Sequence, residues 1–311
     1  MTTVSMSREQ VVELMRAGQT LLIAGFEEVE AEGVALVGQS AVSFATSSWE
    51  RPGGGGGTAR VLTEGVVFER AGVNVSAVHG DAVPPSLYHD RPHLKGAPYF
   101  ATGVSMVLHP RNPYVPAFHA NYRYFEAGDD RWFGGGMDMT PAYGFDEDAR
   151  HFHTTLKAYC ARHAIANYQT LKETCDRYFT INHRQEMRGI GGIFFDMLEP
   201  QGDDGFERGL AFAKDGIETI LAAYLPVVRR RMAMPYGERE RQWQLYRRGR
   251  YAEFNLVYDK GTVFGLQTNG NIEAILMSMP PLARWEFQIA LEPGSPEADV
   301  SRFLQPQDWA A

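Results

Sequence analysis

Cysteine is almost absent from this chain: two residues, Cys160 and Cys175, in 311. Without paired spacing they exclude a disulfide framework and a cysteine-built zinc site. Both fall in segments of helical periodicity, where buried, reduced thiols are expected. A long apolar run is also missing. No stretch of about 18 apolar residues occurs, so no transmembrane segment is expected, and the opening MTTVSMSREQVVELM lacks the charged-then-apolar order of a secretory leader. Basic excess is missing too: 30 Lys and Arg stand against 38 Asp and Glu, a formal net charge of -8. That removes the global positive field on which nucleic-acid binding depends. The expectation is a cytoplasmic protein with no nucleic-acid partner.

Five consecutive glycines in RPGGGGGTAR, residues 53–57, lack the Lys and Ser/Thr of a phosphate loop, and the following VLTEGVVFE reads as a strand. Glycine loses the most entropy on ordering, so a mobile loop is expected there. A helix is predicted from the N-cap Ser7, with Gln10 three residues on, to about Glu32. Strand signals dominate GVVFERAGVNVSAV, TGVSMVLHP and HANYRYFEA. Helical spacing predicts helices over 146–163, 167–179 and 205–232, the last interrupted at Pro226. YAEFNLVYDKGTVFGLQT reads as a β-hairpin turning at Asp259-Lys260-Gly261, and IEAILMSMPP as a further strand stopped by prolines. Grouped strands and grouped helices predict one α+β domain over 1–311, not a parallel βαβ fold.

The stretch HPRNPYVPAFHANYRYF, residues 109–125, joins two histidines, two arginines and three prolines to several aromatic rings. Pro110, Pro113 and Pro116 stiffen its first half. If HANYRYFE is a strand, the period of two puts His119, Asn121 and Arg123 on one face and Tyr122 on the other. Those three side chains suit an anion; a wetted sheet face is the plainer reading. Ser105, His109 and Arg111 lie on or beside this segment. In WFGGGMDMTP, Gly134, Gly135 and Gly136 either admit a close neighbour with Asp138 beneath it or form a turn with a satisfied aspartate. In the helix from Asp146, the apolar stripe Ala149, Phe152, Leu156, Tyr159, Cys160 and His163 places His153 at its edge, while His151 projects away. His183, Arg184 and Arg188 share INHRQEMRGIGGIFFD with Asp196. His109, His119, His153 and His183 could supply a metal, but no pair has the His-x3-His spacing of a helical ligand pair. Arginines between 229 and 250 suit a solvated helix face, except Arg247, Arg248 and Arg250, whose forks suit carboxylates.

Taken together, GVSMVLHPRNPYVPAFHANYRYF, WFGGGMDMTP, HRQEMRGIGGIFFD, YRRGRYAEFNLVYDKGTVFGLQT and ILMSMPPLARWEF resemble, in that order, the oxygen-dependent coproporphyrinogen III oxidases. The resemblance runs from about the glycine run to the C-terminus. It implies one large antiparallel β-sheet flanked on both sides by α-helices, and a homodimer with its interface within 251–286. It implies oxidative decarboxylation of two propionates of coproporphyrinogen III to vinyl groups, giving protoporphyrinogen IX in haem biosynthesis. Molecular oxygen is the implied co-substrate; no organic cofactor is expected, and a divalent metal on His109, His119, His153 and His183 is allowed but not required. By the same resemblance His119 is the proton donor, and Arg123 and Asp138 are functional. Ser105, Asn121, Tyr122, Arg123, Asn269, Gly270 and Asn271 bind substrate. Physical chemistry adds an expectation that Arg123 holds a propionate and that Asp138 accepts from pyrrole N–H groups. Two departures stand out: Asn271 and Lys260 each occupy a place where the family commonly has arginine. A metal-dependent oxygenase and a non-enzymatic tetrapyrrole carrier are the alternatives.

Overall fold

A computed structural model describes residues 2–38, 40–89, 91–199, 201–267 and 270–311. Its first element, helix α1 (Thr2–Val37), extends past both expected ends. Val11, Met15, Leu22, Phe26 and Val29 are fully buried along it, the spacing by which one helix face meets a core. Seven strands then build an antiparallel sheet: β1 (Ala45–Glu50), β2 (Gly55–Thr63), β3 (Phe68–Gly80), β4 (Tyr99–Pro110), β5 (Ala117–Ala127), β6 (Asp130–Thr140) and, after an excursion, β9 (Gly192–Leu198), in that spatial order. A single turn, α2 (Pro85–Tyr88), lies between β3 and β4. The excursion holds α3 (Asp146–Ala161), α4 (Tyr168–Tyr178) and a two-stranded ribbon of β7 (Thr180–Ile181) and β8 (Glu186–Met187). After β9 come α5 (Gly205–Arg231), α6 (Glu238–Val257), α7 (Lys260–Gln267), α8 (Ile272–Leu276) and α9 (Pro296–Asp299). The α+β class and the single large antiparallel sheet between helical layers are as expected.

The back of the sheet is apolar. Phe118 stacks on Tyr224 of α5 and meets Phe152 of α3 edge-on, Tyr124 meets Phe206, and the Tyr122 ring lies against Gly216, where an added Cβ would approach its hydroxyl to 2.2 Å. Helix α1 joins this layer through Gln19, which donates to Thr58 O and Val73 O, and through Glu30. The Glu30 carboxylate accepts from the N–H groups of Val66, Val67 and Phe68. Burial raises its pKa, and these three donors offset that only in part. On the front, Met277 packs over Gly72, Asn74 donates to Ala274 O, and Tyr251 meets His109 edge-on.

Three local expectations fail. Residues 251–267 are not a hairpin but the end of α6 and all of α7. Trp243, Tyr246, Arg247, Arg250, Tyr251 and Phe254 are buried at three- and four-residue intervals, a helical stripe that outweighs the β-like alternation of so short a run. Asp259, read as a turn residue, caps α7 by accepting from Thr262 N at 2.9 Å. The expected strand from Ile272 is α8, because Asn271 accepts from Ala274 N and starts a helix. Finally, the glycine run is not a loop throughout. Gly54 and Gly55, both at positive φ, lead out of the turn; Gly55–Gly57 pair with β3, and Gly56 and Gly57 with β1 as well. Ladder bonds on both sides, with the Trp49 ring lying over Gly57, offset the entropy that argued against a regular element. An added Cβ at Gly57 would come within 2.3 Å of Trp49 and 2.5 Å of Val75 O, whereas at Gly53 it would meet nothing within 4 Å. Gly57→Ala is therefore expected to lower stability by about 1–3 kcal/mol and Gly53→Ala to stay within about 0.5 kcal/mol, as read by urea unfolding.

Candidate active site

Directly opposed residues of an antiparallel sheet point to the same side, so the register builds three rows on the front face. One runs Gly72, Val107, His119, Asp138, Gly192; the next runs Asn74, Ser105, Asn121, Gly136; the third runs Ser76, Gly103, Arg123, Gly134. Ser105 is exposed although β4 is the central strand. The front helices therefore leave the middle of the sheet open, floored by serine, glycine and the His-Asn-Arg series.

A continuous polar chain crosses this floor. Arg188 grips Asp138 with two bonds, Nη2 to Oδ1 at 2.7 Å and Nε to Oδ2 at 2.9 Å, and donates through Nη1 to Asn255 at 2.7 Å. Both members of the pair are 1% exposed. The guanidinium lies over the rings of Phe179, Tyr251 and Phe254. Asp138 Oδ1 also faces His119 Nδ1 at 2.9 Å. Beyond it, Asn121 Nδ2 is 3.3 Å from His119 Nε2, and Arg123 Nη1 donates to Asn121 Oδ1 at 2.9 Å. Arg123 Nη2 pairs with the exposed Asp196 at 3.0 Å. Since a carboxylate only accepts and the amide nitrogen only donates, the neutral imidazole carries its proton on Nδ1 and presents Nε2 as the working nitrogen. Burial pushes the Asp138 carboxyl up, but Arg188 and His119 more than offset this and hold it below the usual range.

Not every expected residue meets this chain. Ser105, Asn121, Arg123, His119 and Asp138 are together. The Tyr122 side chain is on the back of the sheet, as the period of two requires, so only its backbone adjoins them. Asn269 lies outside the described residues; Gly270 donates to Gly265 O, and the Asn271 side chain is occupied in capping α8. Asp138 has three of its lone-pair sites filled, two by Arg188 and one by His119.

The four histidines do not assemble. His109 bonds Ser278 O through Nε2; His153 has Tyr168 OH on Nδ1 and Ile190 O on Nε2; His183 has Tyr258 OH and Glu253. Burial depresses His109 and His153 to about 3, so both are neutral. Among the described residues no three His, Cys, Asp or Glu side chains could hold one ion. The expected four-histidine metal set does not fit this arrangement, because the imidazoles have separate protein partners on separate elements.

Three functional residues escaped sequence reasoning. Arg188 and Asp196 stood in a segment flagged for its mixture of His, Arg and Gly, but nothing in the spacing distinguishes a buried arginine from a surface one. Asp259 reads in sequence as a turn residue. Its carboxyl is raised by burial but brought below the ordinary range by His119, by the Thr262 donors and by Arg188, and Tyr178 OH donates to it at 3.0 Å.

An imidazole with one nitrogen fixed by a buried carboxylate and the other facing the polar floor can pass a proton, an arrangement suited to an enzyme site. Sequence comparison specifies it. The profile of the family described as coproporphyrinogen III oxidase matches residues 10–309. A protein of Parasynechococcus marenigrum (strain WH8102), described as oxygen-dependent coproporphyrinogen-III oxidase, is 48% identical over 326 residues, 97% of this chain and 87% of the relative. One of the same description from Prochlorococcus marinus (strain MIT 9313) is 52% identical over 290 residues, 86% of this chain and 83% of the relative. The chain belongs to the coproporphyrinogen III oxidase family.

Removing Arg188 leaves a buried carboxylate uncompensated. Arg188→Met is expected to cost about 3–5 kcal/mol at neutral pH. Because the pair depresses the folded pKa of Asp138, its contribution is present above the unfolded value near 3.9 and is lost as pH falls through the folded one. The gap between wild type and variant in urea unfolding should therefore narrow on acidification, as Asp138 of the variant, still buried but no longer held down by Arg188, takes up its proton at a higher pH than in the wild type.

Proposed function

We propose that this chain converts two propionates of coproporphyrinogen III to vinyl groups, giving protoporphyrinogen IX, with molecular oxygen as electron acceptor. For each propionate, one molecule of oxygen takes two electrons and two protons from the substrate and leaves as hydrogen peroxide, while the side chain loses its carboxyl as carbon dioxide and becomes a vinyl group. An electron-rich pyrrole can give electrons to oxygen directly, so the reading requires neither an organic cofactor nor a metal. The observation that carries it is the chain from Asp196 to Arg188 across an open, glycine-floored sheet, in a chain of this family.

Each group has a task. Arg123, whose partner Asp196 is exposed, exchanges that carboxylate for a propionate of the substrate. His119 hands a proton from the pyrrole or solvent to reduced oxygen through Nε2. Asp138 holds the Nδ1 proton in place and steadies the positive charge that develops as electrons leave the ring. Ser105 and Asn121 complete the polar floor. Loss of the proton route at His119→Ala should lower kcat by about 10²–10⁴.

We further read residues 1–311 as a single working domain in the cytoplasm, where two free buried thiols are at home. We also propose a homodimer, with its contact within 251–286. Leu256, Val257, Leu266, Ile272, Leu282 and Trp285 are exposed there, and exposed large apolar side chains at this density suit a partner surface. Trp285→Glu should shift sedimentation equilibrium from dimer toward monomer; an unchanged dimer would move the interface elsewhere.

The activity itself is tested by mixing metal-stripped protein with coproporphyrinogen III without oxygen, then admitting oxygen and weighing the tetrapyrrole by mass spectrometry. The expected result is stepwise loss of two carboxyl groups only after oxygen, undiminished by chelator. Binding with no mass change would point to a carrier, and turnover restored only by added metal to a metal-dependent oxygenase.

A further inference from the structure

One row along the sheet from His119 and Asp138, the front face ends in a small buried cavity of about 20 Å³ between β4–β6 and α6, lined in part by His109, Ala117, Thr140, Arg247, Arg248 and Tyr251. Ala117 and Thr140 are opposed in register, two residues from His119 and Asp138 respectively. The cavity therefore lies roughly 7 Å from that pair along the strands. The lining holds two guanidinium groups and no carboxylate.

Of the three arginines in the middle of α6, two use both terminal nitrogens. Arg248 bonds Glu69 and Pro110 O, and Arg250 bonds Glu253 and Tyr246. Arg247 is 5% exposed and uses only Nη1, on Glu186 at 3.0 Å. Its Nε and Nη2 are buried with no partner. Those two atoms form the edge of the fork that offers parallel N–H donors to the two oxygens of a carboxylate. A nearly buried guanidinium with that edge empty is costly unless something arrives to fill it.

Resting on the function proposed above, we propose that Arg247 is a second carboxylate anchor, which receives one acid arm of the tetracarboxylate substrate at the opposite end of the floor from Arg123. From Arg123 to Ala117 is six residues of β5, roughly 20 Å, with His119 and Asn121 between. The two cations thus bracket the proton-transfer centre, as a ring with acid arms on opposite sides requires. The cavity has room for roughly one or two water-sized atoms, which suits carboxylate oxygens and excludes a ring. Also bordering the cavity, His109 bonds Ser278 O through Nε2, which leaves a lone pair on Nδ1 with no partner.

The test compares Arg247→Gln, Arg247→Lys and Glu186→Gln in two assays: KM and kcat with coproporphyrinogen III, and fluorescence titration with coproporphyrin III, the stable oxidised tetra-acid, whose binding needs no turnover. Loss of a charged bidentate contact should raise KM and the coproporphyrin Kd about tenfold or more in Arg247→Gln, with kcat changed by no more than about threefold and partial recovery in Arg247→Lys. Glu186→Gln removes the ion pair but keeps the anchor, and should leave both constants within about twofold of wild type. Unchanged constants in Arg247→Gln would overturn the proposal. So would an equal rise in Glu186→Gln, which would assign Arg247 to structure alone. Arg247-dependent binding by a wild-type protein that never turns the substrate over would uphold the anchor while refuting the proposed activity.

Discussion

The buried pair of Arg188 and Asp138 is the constraint around which the front of the molecule is arranged. Its carboxylate belongs to β6, its guanidinium follows β8, and the rings that sandwich the guanidinium come from the end of α4 and from α6. Desolvating two ions costs several kcal/mol each, which their attraction recovers only with good geometry. The bidentate grip and the third bond to Asn255 supply that geometry. Stability alone is a poor reason to bury such a pair. Orientation is a better one: Asp138, immobilised from behind, fixes which nitrogen of His119 carries the proton.

The same strands serve two surfaces by alternation. On β5, Phe118, Tyr122 and Tyr124 anchor the back through ring contacts with α3 and α5, while His119, Asn121 and Arg123 interleave with them on the front. The apolar back and the polar front are thus rigidly coupled. A one-residue slip of β5 would exchange the two faces, so the packing that stabilises the sheet also sets the spacing of the polar chain.

Much of this was legible in advance, for identifiable reasons. The long helices showed themselves through apolar stripes such as Ala149, Phe152, Leu156 and Tyr159, and the alternation of HANYRYFE gave the facing of His119, Asn121 and Arg123. What stayed hidden depended on tertiary partners. Residues 251–267 carry aromatic and branched side chains that fit either a strand or a buried helix, and only the surfaces around them decide. The strand at Gly55–Gly57 is stabilised by a tryptophan and two neighbouring ladders that local sequence does not announce. Arg188 looks like any charged residue until its three aromatic neighbours, from positions 179, 251 and 254, are brought to it. The four histidines erred in the opposite direction: similar surroundings in sequence became unrelated roles, two of them as neutral core members.

Glycine at 134 and 136, facing the cleft between neighbours as bulky as Phe133 and Met137, gives the sheet an unequal thickness. An added Cβ at Gly134 would strike the Arg123 guanidinium, and one at Gly136 would strike the backbone of the adjoining strand. Gly136 is closed to any larger residue for reasons of space, independently of the chemistry above it, whereas at Gly134 the neighbour that must give way is the end of the Arg123 side chain. At its β6 edge the floor is consequently main chain, which mutation cannot readily restyle. Adaptation to tetrapyrroles of different outline would have to proceed through the walls and the charged ends, leaving the surface beneath the ring as a fixed template.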